Sequence, residues 1–227
     1  MKPSIYIARQ PIFDADRNII AYELLYRDTE GENASIKTNI HATARVLVNA
    51  LNYIGLTNLT KGKMAFIKVD DKTLMDDIIY SISPTHFILE ILSDSFVTPK
   101  LIERIDVLLE KGYRFSLNHF VDEPEFFAKN NALIQRLSYL KVDVNTLKEP
   151  TNAFVMLRNY NFKYIAEKIE NEESYDRVAK LGFPYYQGYY FAKPFLMKHT
   201  RLDPENSLLL ELIYLLKTDA PLEELIK

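Results

Sequence analysis

Residues Phe115 to Phe120 read FSLNHF and set an amide and an imidazole, Asn118 and His119, inside an otherwise apolar, strand-like run. Buried without partners, such groups cost roughly 1 to 3 kcal/mol each, so they need partners or a cavity. The same interruption recurs on either side. AYELLY carries Glu23, FIKV carries Lys68, FILEIL carries Glu90, YLKVDV carries Lys141 and Asp143, YIAEKI carries Glu167 and YYQGYY carries Gln187. A short apolar segment bounded by turn residues, with one polar group in it or near its end, is how a strand delivers a side chain to a shared site. The segments are therefore expected to converge.

The segments around FSLNHF fall into an alternating order. Ser4–Ala8 and Ile19–Tyr26 read as strands joined by a polar Asp14–Asn18 turn, which predicts an antiparallel first pair. Apolar residues at helical spacing from Asn39 to Leu56 predict a helix stopped near Gly55. Further strands are predicted at Met64–Val69, Phe87–Leu92, Tyr113–Phe120, Tyr139–Val144, Phe162–Ile169 and Pro184–Phe191. Helices are predicted at Lys72–Ser81, Pro99–Lys111, Thr151–Asn159 and Glu173–Leu181. Eight strands, mostly with helix-length connections, imply a largely parallel sheet closed into a barrel, and active sites of such barrels form at the carboxyl ends of the strands. Past Pro194, leucine and isoleucine recur at helical spacing through Asp203–Lys217, predicting a helical tail.

At 227 residues and 48% hydrophobic, the chain can bury a full core. A net charge of −3 gives no global field for a nucleic-acid polymer. With no cysteine there are no disulfides and no thiolate metal ligands, which fits a reducing compartment. The start lacks a signal-like apolar stretch, and the Leu208–Leu216 run is interrupted by Glu211 and too short to span a membrane. These features lead us to expect a soluble cytoplasmic protein.

Taken together, Gln10-Pro11-Ile12, Tyr22 to Arg27, Glu90, Lys141-Val142-Asp143, Ala166-Glu167 with Glu170, and Gln187 to Pro194 occur in the order that resembles EAL domains. The resemblance implies a modified (β/α)8 barrel with one antiparallel strand, an α/β fold, over residues 1–198. It also implies cyclic di-GMP hydrolysis to pGpG by two Mg²⁺ or Mn²⁺ ions. Glu23, Glu90 and Glu167 then match metal-ligand positions, and Lys141 matches the lysine that orients or deprotonates the attacking water. Gln10, Arg27 and Gln187 match positions near the nucleotide. The opening ARQPIFDADRNIIAYELLYR is closer to the subgroup in which an EAL-like domain precedes an HDOD domain, so residues 199–227 are expected to form a tail or linker toward one. A homodimer is an expectation of the same resemblance.

The departures from the family pattern cluster in one place. Lys68 stands where active members carry an asparagine ligand, and Asn118 and His119 stand where they carry an aspartate pair. An ammonium has no lone pair for a cation. Unit charges at 4 Å interact by about 4 kcal/mol at an effective dielectric near 20, and a divalent ion beside Lys68 meets roughly twice that. Neutral Asn118 is a poorer Mg²⁺ ligand, and an imidazole suits transition metals. Ser93 replaces a loop-anchoring glutamate, and VDEPEFFAKNN replaces a glycine-rich loop. The expectation is a degenerate barrel with no cofactor, acting as a signalling or scaffolding module, with Lys68 bridging Glu23 or Glu90. The alternatives are a receptor that binds cyclic di-GMP through Gln10, Arg27, Lys68 and Gln187 without cleaving it, and a residual phosphodiesterase. Glu23, Glu90 and Glu167 as solvent-side positions of alternating strands, and His119 as an ordinary satisfied polar residue, are the bland readings.

Overall fold

The computed structural model describes residues 4–27, 59–92, 97–118, 120, 123–147 and 160–200. The expected helices at 39–56 and 151–159, Ser93, His119 and the tail from residue 201 lie outside the described residues. Strands β1 (Ser4–Asp14) and β2 (Ile19–Arg27) form the expected antiparallel pair. Their turn is closed by the Asp14 carboxylate, which accepts from the Asn18 amide at 2.8 Å.

Six more strands follow, each parallel to its predecessor: β3 (Met64–Val69), β4 (Phe87–Leu92), β5 (Phe115–Asn118), β6 (Tyr139–Asp143), β7 (Lys163–Glu167) and β8 (Tyr185–Tyr186). β8 pairs with Phe13 and Asp14 of β1, and β1 pairs with β2, so the sheet closes into an eight-stranded barrel with one antiparallel strand. A ninth strand, β9 (Phe195–Thr200), pairs with the remaining edge of β1, Ser4 to Arg9.

Alternation divides the apolar residues between two cores. Ala65, Ile67, Leu89, Ile91, Leu117, Leu140 and Val142 face outward into one large cluster with the helices, whereas Ile12, Ala21, Phe66, Ile88 and Ile165 fill the barrel. Helix α2 (Pro99–Glu110) shows how the outer layer is set. Thr98 caps it by accepting from the Leu101 amide at 3.2 Å, Pro99 opens it, Leu101, Ile105 and Leu108 lie on its buried face, and Gly112 ends it at φ 86°. Helix α4 (Glu172–Lys180) begins with a capping box between Asn171 and Ser174.

The structure corrects the expected elements in several places. The helix read at Lys72–Ser81 is a short α1 (Asp71–Met75) followed by a 3₁₀ turn (Asp77–Ser81), because Asp76 starts a new cap by accepting from the Ile78 amide. Part of the segment read as a loop, VDEPEFFAKNN, is helix α3 (Pro124–Ile134). Pro124 occupies its first turn, Phe126 and Phe127 meet the Phe120 ring edge-on at 5.5 and 5.4 Å, and Leu133 and Ile134 are buried. The strand read at Pro184–Phe191 is only Tyr185–Tyr186, and the chain then turns at Gly188.

That turn requires glycine. A Cβ built on Gly188 would lie 2.1 Å from the Ile169 carbonyl oxygen, while Tyr190 donates to that same carbonyl at 3.0 Å. Gly188→Ala is therefore expected to lower stability by about 1 to 3 kcal/mol, as overpacking against unyielding backbone does. Urea unfolding checks this; an unchanged midpoint would show that the segment moves freely.

Candidate functional site

At the carboxyl ends of the parallel strands, alternation turns a set of polar side chains inward. Register fixes who meets whom: Gln10 lies opposite Glu23, Lys68 beside Glu90, Leu92 beside Asn118 and Asp143 beside Glu167. Gln10, Glu23, Glu90, Asn118, Lys141, Glu167 and Gln187 are all buried. The sequence-predicted residues are thus gathered at one end of the barrel, and the solvent-side reading of the three glutamates fails. Arg27 ends β2, with nothing described of its side chain, and His119 lies outside the described residues.

Lys141 sits at the centre. Its fully buried ammonium lies 2.7 Å from Glu23 Oε2 and 2.7 Å from Glu90 Oε2, and 5.3 Å above the Phe66 ring centroid. The Glu90 contact is an ion pair without hydrogen-bond alignment, whereas that to Glu23 is aligned. Lys68 lies 3.0 Å from Glu23 Oε1 and 4.0 Å from Glu90 Oε1, the bridge expected from sequence. Its side chain is 31% exposed and Lys141's is 0%, so Lys68 is the cation that solvent reaches. Gln187 donates to Glu23 Oε2 at 2.7 Å and to Gln10 Oε1 at 3.1 Å, and Gln10 donates to the Ala192 carbonyl at 3.1 Å. Asn118 Nδ2 donates to Glu90 Oε1. The amide oxygens of Asn118 and Gln187 are buried and accept no hydrogen bond among the described residues.

Charge follows from this packing. Burial works to raise the Glu23 carboxyl, but the Lys141 and Lys68 ammonium groups overcome it and hold the acid well below the ordinary carboxylate range. Burial likewise opposes the charge on Lys141, and Glu23, Glu90 and Glu167 more than restore it. Glu167 goes the other way: burial, reinforced by Glu23 and Glu90 and opposed by the two lysines, pushes it up to about 7.

One participant was not singled out from sequence. Lys168 contacts Asp143 Oδ2 at 2.5 Å. Strict alternation assigns the residue after Glu167 to the opposite face. Lys168 instead adopts φ 62°, which breaks the strand and swings the ammonium back. The signal available was the composition alone, a basic residue directly after an inward acid.

The Glu167 environment sets a pH dependence. Its folded value near 7 lies above the ordinary 4.5, so the folded chain holds a proton that the unfolded chain releases. That contribution is fully present below 4.5 and is lost as pH rises toward about 7, the opposite sign to Glu23. Glu167→Gln, which keeps the neutral shape, is expected to flatten the decline of the urea midpoint across this window. An unchanged slope would remove Glu167 as its source.

Residues 3–194 match the family profile of the EAL domain. The chain is 32% identical over 195 residues to the uncharacterized protein YuxH of Bacillus subtilis, covering 84% of this chain and 47% of that protein. It is 28% identical over 213 residues to the cyclic di-GMP phosphodiesterase CdgJ of Vibrio cholerae, covering 91% of this chain and 48% of that protein. The chain thus spans about half the length of these curated relatives. Its fold is that of Klebsiella pneumoniae BlrP1 in a manganese and cyclic di-GMP complex, with TM-score 0.66 and 16% identity over 88% of this chain and 62% of that one. It is also that of Bacillus subtilis YkuI with cyclic di-GMP and calcium, with TM-score 0.64 and 19% identity over 96% of this chain and 63% of that one. With its residues 3–194 matched to that profile and the barrel closed as described, this chain belongs to the EAL domain family.

Proposed function

We propose that this chain is a catalytically degenerate EAL barrel, a signal-transduction or scaffold module in cyclic di-GMP-related signalling. The observation that carries this reading is Lys68, whose ammonium lies 3.0 Å from Glu23 and 4.0 Å from Glu90, beside a Lys141 that lies 2.7 Å from both. Both Glu23 oxygens already hold donors, and Asn118 offers Glu90 an N–H. Among the described residues, no three His, Asp or Glu side chains are arranged to hold a metal ion. This donor set does not fit a pair of divalent cations, which require a shell of several oxygen ligands free to coordinate them. Lys141, whose protonated form is held by the carboxylates, is also poorly suited to accept a proton from water.

The proposal extends to organisation. Residues 1–198 are assigned to the barrel domain and 199–227 to a linker toward an HDOD domain or another signalling partner. No helix among the described residues is long and apolar enough to cross a membrane, in keeping with a cytoplasmic module.

A second reading, a receptor that binds cyclic di-GMP without cleaving it, has its own support. The unpartnered amide oxygens of Asn118 and Gln187 are acceptors suited to the N–H edge of a guanine, and Lys68 is an accessible positive charge for a phosphate. In that reading Gln10 and Arg27 complete the nucleotide-binding set. The name of the Vibrio relative supports a third reading, residual metal-dependent phosphodiesterase activity.

Purified protein incubated with cyclic di-GMP and Mg²⁺ or Mn²⁺ is expected to yield no pGpG by chromatography. Turnover that Glu23→Ala abolishes would overturn the degenerate reading, and calorimetry showing no heat with excess dinucleotide would remove the receptor. The triple variant Lys68→Asn, Asn118→Asp, His119→Asp restores oxygen ligands and removes the opposing charge. It is expected to gain measurable Mn²⁺ affinity by calorimetry; failure to do so would place the defect in loop geometry.

A further inference from the structure

The alternation that turns Lys68, Lys141 and Glu167 inward at the mouth also acts at the other end of the same strands. Two positions before Phe66, Lys141, Ile165 and Gln187 stand Met64, Tyr139, Lys163 and Tyr185, and two before Ser116 stands Arg114. Met64, Tyr139 and Tyr185, with Ile20, pack beneath the interior layer of Ile12, Ala21, Phe66, Ile88 and Ile165 and form the barrel floor. Tyr139 meets Phe66 edge-on at 5.2 Å, so floor and mouth are separated by that apolar layer.

Two cations stand at this floor. Tyr139 and Lys163 are neighbours in register, and the Lys163 ammonium lies 5.7 Å from the Tyr185 ring centroid. Its charged form is favoured first by a hydrogen bond with Tyr185 and opposed by burial and by the nearby Arg114 charge. The Arg114 guanidinium donates to the Met64 sulfur at 3.1 Å, a weak acceptor for a strong donor. Among the described residues, neither cation has a carboxylate within ion-pair distance. The contrast with the mouth, where the Lys68, Lys141 and Lys168 ammonium groups each have a carboxylate, is the informative fact. Helix C-termini account for basic residues on the helices at this end, but Arg114 and Lys163 belong to strand starts.

We propose that the barrel floor is an anion site, in which Arg114 and Lys163 take a phosphate-type oxyanion with the Tyr185 hydroxyl beside them. The donors are a planar guanidinium fork and a point-charge ammonium; the Asp14 carboxylate, opposite Tyr185 in register, accepts from Asn18, and no described carboxylate is within ion-pair distance of either cation, so the occupant must be rich in acceptors and negative. Two like charges at the starts of the strands flanking Tyr139 favour a dianion over a monovalent carboxylate. The site lies at the amino ends of the strands, away from the Glu23 and Lys68 cluster, and does not depend on whether the mouth binds nucleotide.

The test titrates the whole chain with inorganic phosphate at constant ionic strength, matched with chloride, followed by calorimetry and by backbone amide NMR. Saturable binding is expected, with amide shifts confined to the starts of β5, β6, β7 and β8. Arg114→Met and Lys163→Met should each weaken it by at least about tenfold, the loss expected for a charge-assisted hydrogen bond. The charge-conserving Arg114→Lys and Lys163→Arg should retain measurable binding, which separates loss of the site from loss of the fold. Non-saturating uptake would overturn the proposal. So would phosphate binding lost in Lys68→Gln but kept in Arg114→Met and Lys163→Met, since the ion would then sit at the mouth.

Discussion

The ammonium of Lys141 is the constraint on which the mouth of this barrel depends. A buried charge is tolerated only with close opposite charges, and removing one partner of such a pair costs roughly 3 to 5 kcal/mol. Its partners are Glu23 on β2 and Glu90 on β4, neither of them on a strand adjacent to β6, so the pairing spans the barrel interior. It exists only if the sheet is closed, and closure rests on β1 pairing with β2 on one side and β8 on the other. Phe66 beneath the ammonium and Gln187 against Glu23 then fix the heights of the remaining side chains.

Charge balance in the cluster explains why Lys68 has so large an effect. Glu23 and Glu90 face two ammonium groups, and Glu167, pushed up to about 7, is the acid that yields its charge most easily. The cluster approaches neutrality from its own side chains. An added divalent cation would have to displace the two lysines before gaining Glu23 and Glu90 as ligands. Lys68, partly exposed, can be displaced at modest cost; Lys141, sealed above Phe66, cannot. The degenerate reading and the receptor reading therefore share a prerequisite, that Lys68 stays on Glu23 unless an anion draws it away.

The barrel and most of the mouth were legible because both follow from alternation. A polar residue inside a short apolar run must face inward with its equivalents, and register aligned Lys68 with Glu90 and Asp143 with Glu167. What was not legible depended on local backbone geometry or on packing. Helix α3 carries its apolar residues in two separated pairs, Phe126–Phe127 and Leu133–Ile134, so its charged surface resembled a loop. β8 is short because the close approach of Gly188 to Ile169 turns the chain, and the aromatic run YYQGYY conceals the turn. Lys168 reached Asp143 through a left-handed backbone that no alternation rule anticipates. β9 went unseen because the stretch past Pro194 was read only for its helical spacing, although β1 exposes an edge over Ser4 to Arg9 that a following strand can fill.

The same rule that reveals the mouth also exposes an asymmetry between the barrel's two ends. Inward positions along a strand recur every second residue, so a strand that contributes a charged group toward its carboxyl end contributes another inward group near its start. In β7 these are Glu167 and Lys163, and in β6 they are Lys141 and Tyr139. At the mouth, opposite charges meet and cancel inside a low-dielectric interior, where leaving one unpaired is costly. At the floor, the Arg114 guanidinium meets the Met64 thioether and the Lys163 ammonium the Tyr185 ring, and among the described residues neither has a carboxylate within ion-pair distance. Exposure lowers the cost of that mismatch but does not remove its direction: any anion small enough to reach both cations gains attraction that the protein itself leaves unused.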